Sequence, residues 1–257
     1  MNSQKGIFER IKETRLIQSV FRHPYPVDKQ SRIRTVLDNF FLHIHPSQIS
    51  ERTLRISHTW CLGGLTFLFF LILVVTGALL ALYYRPTPEH AYNDVRDIIF
   101  TVPFGALLRN LHRWSAHAML ICLYLHLLRV FLTGSYKPPR EFNWVVGVVL
   151  LLLTHFLSFT GYLLTWDQAG YWAFTVSTDM AKSAPVIGSD GPLAQAVGTT
   201  QSNDLRYLLL GGTEVNQPAS LLRSYTLHCF ILPLLLVILL AVHFWRVRKD
   251  NKLDNAL

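Results

Sequence analysis

The sequence predicts an all-α fold, a transmembrane four-helix bundle preceded by amphipathic N-terminal helices on the membrane surface. Of the 257 residues, 51% are hydrophobic and only 16% are charged, which is too apolar for an ordinary soluble domain. Four apolar runs reach the length of about 20 residues that a helix needs to cross the hydrocarbon core. Basic residues collect at the ends of these runs, as is typical of membrane proteins.

The apolar runs divide the chain into an N-terminal arm at residues 1–57, a four-helix domain at 58–252 and a tail at 253–257. In the arm, Gly6–Phe21 and Val36–Phe41 mix apolar and charged residues, so we interpret them as interfacial amphipathic helices, with a partly disordered arm as the alternative. The polar start contains no visible cleavable signal peptide. The predicted spans cover about residues 60–84, 107–133, 142–166 and 221–246. They are joined by a mixed-charge loop at 86–106, a turn at 134–141 and a long loop at 167–220 with short helical patterns.

The distribution of charge predicts the orientation of the spans. The arm, the tail and the turn with Lys137 and Arg140 are rich in basic residues, whereas the 167–220 loop contains several aspartates. By the positive-inside rule, both termini face the negative, cytoplasm-like side and this loop faces the positive side. The net charge of +8 is therefore explained by topology, and we expect no nucleic-acid partner.

Four histidines occupy matched positions in the second and fourth spans. His112 and His126 are separated by 14 residues, and His228 and His243 by 15. Both spacings are close to four helical turns, so the members of each pair share nearly one helix face about 21–22 Å apart. The orientation then pairs His112 with His228 near the positive side and His126 with His243 near the negative side. Paired imidazoles saturate a haem iron for electron transfer, so these residues predict two stacked b-type haems.

The first and third spans repeat the same period in glycine. Gly63 and Gly77 are 14 residues apart, as are Gly147 and Gly161. Glycine allows a helix backbone to approach a flat haem closely, so these residues are predicted to pack against the haems, with small-residue helix packing as the alternative.

Several arginines are placed to bind the anionic propionates of the haems. Arg109, Arg113 and Arg129 lie about one turn from His112 or His126, with topological anchoring as the alternative role. In the fourth span, Arg223 and Arg248 are further cofactor-binding candidates.

Four segments resemble the cytochrome b family of quinol-oxidising complexes: Arg109–Arg129 (RNLHRWSAHAMLICLYLHLLR), Tyr136–Trp144 (YKPPREFNW), Phe159–Ala173 (FTGYLLTWDQAGYWA) and Arg223–Lys249. The resemblance covers about residues 57–252. The chain stops after the fourth span and has the 15-residue histidine spacing there. Both features resemble the split cytochrome b of b6f complexes and related bacterial Rieske/cytochrome b complexes.

The resemblance implies the core subunit of a proton-translocating quinol oxidoreductase that delivers electrons to cytochrome c or a plastocyanin-like acceptor. The family's Pro-Glu-Trp-Tyr motif is absent, so a separate subunit is expected to supply it. A Rieske iron–sulfur protein, a quinone, membrane lipid and a dimeric complex are the other implied partners. The implied location is a bacterial cytoplasmic or internal energy-transducing membrane. The implied quinol pocket, on the positive side, would include Trp166, Asp167, Gly170, Tyr171 and Trp172.

Cys61 matches the position at which the split branch holds an additional haem through a single thioether bond. The resemblance therefore implies a third, covalently attached haem beside the negative-side b haem. A buried structural cysteine is the alternative, and is our interpretation of Cys122 and Cys229.

The chain departs from the family pattern in two places near the positive side. Thr165 replaces the family's proline before Trp166, which predicts a softer kink at the end of the third span. Residues 189–204 form an insertion where a Rieske protein and an electron acceptor would dock.

Two other functional classes are compatible with membrane histidines. A dihaem cytochrome b that anchors a dehydrogenase or hydrogenase would need no Rieske partner, but the long loop with Trp166 and Asp167 argues against it. A transporter that uses histidines as proton relays would rarely place four of them in two matched registers.

Overall fold

The computed structural model describes residues 28–37 and 60–251, together with Thr14, and all the regular secondary structure in this part of the chain is helical. Helix α1, Lys29–Leu37, includes the basic run that precedes the predicted helix Val36–Phe41. Apart from Thr14, the predicted helix Gly6–Phe21 lies outside the described residues, as does Val36–Phe41 beyond its first two positions.

Four helical segments of the described chain are long and apolar enough to cross a membrane, which confirms the predicted number of spans. The first is α2, and a short helix, α3, separates it from the second, α4. The third is α5, and the fourth follows the long loop. The bounds are Leu62–Ala81 for α2, Ala91–Phe100 for α3, Gly105–Leu132 for α4, Glu141–Leu163 for α5 and Pro218–Lys249 for the fourth span.

The long helices direct many large apolar side chains outward. Val75 is 61% exposed, Leu132 72% and Leu234 62%. In water such a surface would be strongly unfavourable, whereas lipid tails solvate it without cost. The outward surface of these helices is thus suited to a lipid bilayer.

The fourth span contains one π turn. It consists of α9, Pro218–Thr226, the π turn Leu227–Ile231 and α10, Leu232–Asn251. The amide of Leu232 donates to the carbonyl of Leu227, five residues earlier. Pro233 explains the turn, because in an α-helix its ring would clash with the carbonyl four residues before it.

The π turn accounts for the unequal histidine spacings. In an α-helix, 14 residues fall about 40° short of four turns and 15 residues overshoot by about 60°. A π turn takes one more residue than an α turn, because its hydrogen bond spans five residues. His228 lies within it, so the extra residue between His228 and His243 is absorbed locally in the helix.

The loop that was predicted at residues 86–106 contains a helix, α3, that is held by an ion pair. Asp94 lies on α3 and is buried. Its carboxylate accepts hydrogen bonds from three nitrogens of Arg85: the backbone N at 2.8 Å, Nε at 3.1 Å and Nη2 at 2.6 Å. Tyr84, beside it, donates to the carbonyl of Leu164 at 2.7 Å. These bonds connect the end of α2 to α3 and to the end of α5.

The long loop after α5 is also largely helical. Helix α6, Gln168–Lys182, is followed by the one-turn α7, Ala194–Val197, and by α8, Leu205–Leu210. Within the predicted insertion, Asp204 caps α8 by accepting from the amide of Tyr207 at 2.7 Å. The amide of Leu205 also donates to the carbonyl of Ile187, so both ends of the insertion are held together.

The described chain divides into two compact units by its contacts, and each unit contains a part of every long helix. One unit contains residues 121–152 and 237–251 with the start of α2, and therefore His126, His243, Gly63 and Gly147. The other contains Thr66–Leu120 and Leu153–Leu236, and therefore the remaining two histidines and two glycines of the predicted set.

We expect Asp94→Asn to lower the Tm of the detergent-solubilised protein by roughly 5 °C, because the amide cannot replace a charged acceptor of Arg85. The Arg85 hydrogen bond holds the pKa of Asp94 below its ordinary value. The ion pair therefore stabilises the fold fully at a pH above the ordinary pKa of Asp94. This stabilisation is lost as the pH falls through the lowered pKa of the folded protein. Thermal unfolding followed by circular dichroism at several pH values would show this acid loss in the wild type and a smaller loss in the variant. Equal acid losses in the two would contradict the assignment.

Candidate haem sites

In the unit that contains Thr66–Leu120 and Leu153–Leu236, the structure brings His112 and His228 together. Their ring centroids are 6.3 Å apart and their planes are inclined by 68°. A metal bound by two imidazole nitrogens at about 2 Å each would separate the ring centres by roughly 6 Å. The spacing of the two rings therefore fits one iron between them.

His126 and His243 form the second pair, in the other unit. Both side chains are half-buried, and they lie near enough to interact electrostatically. Nδ1 of His243 is buried, and the backbone of Asn143 faces the ring.

Each of the four predicted glycines faces one of the four histidines. A Cβ atom added to Gly161 would lie 2.5 Å from Cε1 of His228, and one added to Gly77 would lie 3.1 Å from Cε1 of His112. In the other unit, the corresponding distances are 3.3 Å from Gly63 to His126 and 3.6 Å from Gly147 to His243. The glycines thus lie against the imidazole edges, and their packing against the haems stays a prediction.

Oxygen atoms lie within hydrogen-bond distance of Nδ1 of His112 and of Nδ1 of His228. Thr76 Oγ1 lies 2.9 Å from Nδ1 of His112, and its single proton goes to the carbonyl of Ile72 at 2.7 Å. The hydroxyl can therefore only accept from His112, so Nδ1 bears the proton and Nε2 has the free lone pair. Thr76 was not predicted from the sequence, although it directly precedes Gly77.

The same arrangement recurs at His228. Its Nδ1 lies 3.0 Å from the carbonyl of Leu157 and 3.3 Å from Thr160 Oγ1. A carbonyl only accepts, so this nitrogen must be protonated, which leaves Nε2 for a metal. Thr160 directly precedes Gly161, as Thr76 precedes Gly77.

The described residues contain no group of three or more His, Cys, Asp or Glu side chains close enough together to hold a metal ion. A structural zinc site needs four protein ligands and a catalytic one three. Two histidines with free Nε2 atoms instead suit an iron whose other ligands come from a macrocycle, so the residues present fit haem.

The predicted propionate-binding arginines lie in different environments. Arg109 and Arg248 are half-buried and Arg113 is exposed. The guanidinium of Arg129 lies over the Trp60 ring, 5.5 Å from its centroid. Arg223 donates to the backbone carbonyls of Tyr207 and Leu208 near the end of α8, so part of its hydrogen-bonding capacity is used there.

Arg246 is a buried cation that the sequence analysis treated only as a topological charge. It is fully buried, and its guanidinium lies 5.4 Å from the ring centroid of Phe142 and 5.7 Å from that of Trp245. The adjacent aromatic residues were the only available signal, since arginine often stacks on aromatic rings. Arg246 belongs to the same unit as His126 and His243.

Cys61 is exposed and directly precedes α2. Both Cys61, at φ 52°, and Trp60, at φ 50°, adopt the left-handed conformation, which is uncommon for residues other than glycine. This backbone places the thiol outside the helix that begins at Leu62.

The residues of the predicted quinol pocket lie around the start of α6. Trp166 is buried at φ 45°, and its ring contacts those of Tyr171 and Phe174, each with centroids 5.7 Å away. Asp167 caps α6 by accepting from the amide of Gly170 at 2.8 Å, and Trp172 is 57% exposed. A cavity of about 500 Å³ is lined by Tyr92, Trp166, Asp167, Gln168 and Ala169.

Four membrane-length helices with two pairs of neighbouring histidines define a class of protein, the membrane-bound b-type cytochromes. The model of the family described as Cytochrome b/b6/petB matches residues 49–251. The chain therefore belongs to the cytochrome b/b6 family, and two b haems are the cofactors that this family implies.

Individual relatives agree with this assignment. The chain is 42% identical to the cytochrome b6 of Acaryochloris marina over 192 residues, which is 75% of this chain and 82% of that protein. It is 44% identical to the cytochrome b6 of Heliobacterium mobile over 210 residues, which is 82% of this chain and 90% of that protein. Among solved structures, a chain of a hyperthermophilic respiratory Complex III matches with a TM-score of 0.64 and 29% identity. That match covers 79% of this chain and about half, 49%, of the other.

The distances from the glycines to the histidine rings predict a graded series of alanine variants. Gly161→Ala should lower the b-haem content by about half, because a Cβ at 2.5 Å from His228 forces the ring from its place. Gly77→Ala and Gly63→Ala, at 3.1 and 3.3 Å, should have smaller effects. Reduced-minus-oxidised spectra of the purified complex would measure the content.

The controls for this series are Gly147→Ala, where the contact is 3.6 Å, and Gly64→Ala, where nothing lies within 4 Å. Both should retain the wild-type haem content. A loss of haem in Gly64→Ala equal to that in Gly161→Ala would show that helix packing, rather than the imidazole contact, requires these glycines.

Proposed function

We propose that this chain moves electrons from quinol across the membrane, as the haem-carrying core subunit of a quinol oxidoreductase. Family membership supports the class of reaction, and the two histidine pairs support the route. When bound, b haem supplies one-electron redox chemistry, and the protein supplies ligation, spacing and electrostatics. The observation that best supports the proposal is the 6.3 Å spacing of His112 and His228, with oxygen partners on both Nδ1 atoms.

The proposed ligands are His112 with His228 for one haem and His126 with His243 for the other. Each pair falls within one compact unit, and each member faces a glycine. At Gly161, Gly77 and Gly63 an added Cβ would crowd the ring, whereas at Gly147 it would make an ordinary contact. By charge distribution, the first pair would lie near the positive side of the membrane and the second near the negative side, with both termini on the negative side. Arg246 joins Arg129 and Arg248 as a candidate partner for the propionates of the second haem, since all three belong to its unit.

Quinol would be oxidised beside the start of α6. The 500 Å³ cavity there has aromatic and polar lining, which suits a quinone ring with oxygen atoms at its edge. Asp167 would hold the local backbone, because its carboxylate caps α6. Trp172 and Met180 expose apolar surface along the same helix, which suits contact with the separate subunit that completes the pocket.

We assign the remaining partners on the basis of the family resemblance. One electron of each quinol would pass to a Rieske iron–sulfur protein and then to a c-type cytochrome or similar acceptor. The other would cross the membrane through the two haems to a quinone at the negative side. The proposed assembly is dimeric and lies in an energy-transducing membrane.

Cys61 would hold a third haem through a thioether bond. Its exposed thiol and its position just before α2, in the unit with His126 and His243, support this assignment. Cys122 and Cys229, which lie within the spans, are half-buried and are not proposed as attachment sites.

His112→Leu or His228→Leu should remove one of the two b-haem signals from a redox titration of the purified complex and stop quinol oxidation. The reason is that leucine cannot ligate iron, and a single imidazole does not hold a bis-histidine haem in place. His117→Leu is the matched control, since His117 lies on the same helix, α4, but is exposed, and its ring centroid is 5.7 Å from that of Trp114. Retention of both b signals in the His112 and His228 variants would refute the pairing.

Haem staining of a denaturing gel tests the third haem, because only a covalent haem remains on the chain. The wild-type band should stain, and Cys61→Ser should abolish the stain while both b signals remain in the native complex. Cys122→Ser serves as the control and should keep the stain. An unstained wild-type band would rule out the thioether attachment.

A further inference from the structure

We propose that Thr76 and Thr160 are positioning residues that lower the reduction potential of the haem held by His112 and His228. The inference rests on the proposed function, since it requires haem at this pair. It concerns residues outside the set of ligands, glycines and arginines, and their effect on one of the two sites.

The four residues that directly precede the four glycines are all buried, but they differ in chemistry. Thr76 is 3% exposed and Thr160 6%, and both lie beside histidines of the same unit. The corresponding residues in the other unit are Leu62, 7% exposed, and Val146, 6% exposed. Positions 62 and 76 are 14 residues apart, as are positions 146 and 160. Leu62 and Val146 are therefore equivalent in the repeat to Thr76 and Thr160, but they have no hydroxyl group.

Both hydroxyls act as acceptors toward the histidine. Thr160 Oγ1 directs its own proton to the carbonyl of Phe156 at 2.9 Å or of Leu157 at 3.0 Å, just as Thr76 directs its proton to Ile72. At His112, the backbone carbonyl of Leu73 also faces the ring, as the carbonyl of Leu157 does at His228. Each ring of this pair therefore has two oxygen atoms near its Nδ1–H.

The histidines of the other unit have no threonine before the glycine that faces them. At His243 the backbone of Asn143 faces the ring, as Leu73 does at His112, but no hydroxyl lies beside Nδ1 in the described parts of the chain. Val146, which precedes the glycine that faces His243, offers only methyl groups. The two haem sites thus have the same ligands but different hydrogen bonding behind them.

A hydrogen bond from Nδ1–H to oxygen raises the electron density of the imidazole and makes Nε2 a stronger base. A more basic axial ligand stabilises ferric iron more than ferrous iron, so it lowers the reduction potential. The threonines would therefore lower the reduction potential of a haem held by His112 and His228.

Thr76→Val keeps the shape of the side chain and removes the hydroxyl. We expect it to shift the reduction equilibrium of one haem by roughly three- to tenfold toward the ferrous state, which for one electron is about 30–60 mV. Thr160→Val should shift the same haem less, because the Leu157 carbonyl at 3.0 Å remains while the lost contact is the longer one at 3.3 Å. The measurement is a potentiometric titration of the b-haem spectra in the purified complex.

Three controls separate tuning from loss of structure. Thr76→Ser restores the hydroxyl and should return the wild-type potential. Thr154→Val makes the same change at a buried threonine of the same helix as Thr160, and should leave both potentials unchanged. The His126–His243 haem serves as the internal reference in every variant, and the signal that His228→Leu removes identifies the haem that should shift.

The outcomes distinguish this inference from the proposed function. A wild-type complex without two b haems would refute the proposed function itself. Two b haems whose potentials do not move in Thr76→Val and Thr160→Val would overturn this inference alone. Equal shifts in Thr76→Val and Thr76→Ser would also overturn it, because packing rather than the hydroxyl would then be responsible.

Discussion

The close approach of an imidazole edge to a helix backbone, tightest at Gly161, Gly77 and Gly63, is the contact on which both histidine pairs depend. A histidine is polar, and in a membrane it must be bonded or ligated because no water is available to it. A ring that must reach a metal between helices cannot also be displaced outward by a neighbouring side chain. Glycine at the facing position removes that side chain, and the shortest contact, at Gly161, leaves room for little else.

The two histidine pairs differ in the groups that lie beside Nδ1, the ring nitrogen that would not bind iron. Next to His112 and His228, threonine hydroxyls whose protons are bonded to their own helices act as acceptors, so each ring has one defined tautomer. The equivalent positions of the other unit are aliphatic. The two histidine pairs therefore lie in electrostatically different surroundings, with hydroxyl oxygens beside one pair and aliphatic side chains at the equivalent positions beside the other.

Outside the spans, short polar contacts organise the segments that connect them. The ion pair of Arg85 and Asp94 and the hydrogen bond of Tyr84 tie the end of α2 to its neighbours. Carboxylate caps begin α6 and α8. Burial and the charge of Asp94 raise the pKa of Tyr84, so its phenol remains a hydrogen-bond donor. Such local bonds give the loops fixed positions next to a cavity, as a binding site formed by loops requires.

The sequence by itself determined the number of spans and the matched spacing of the four histidines and four glycines, because hydropathy and a 14-residue period are properties of a linear pattern. It could not reveal the π turn that absorbs the extra residue before His243, since that turn depends on how Pro233 is accommodated within the helix. It also treated 86–106 as a loop, although Asp94 helps to hold a helix there through an arginine outside that helix. Only the tertiary structure showed that Thr76 and Thr160 contact the histidines and that Arg246 is buried between aromatic rings, because such roles depend on which side chains of other helices are within reach.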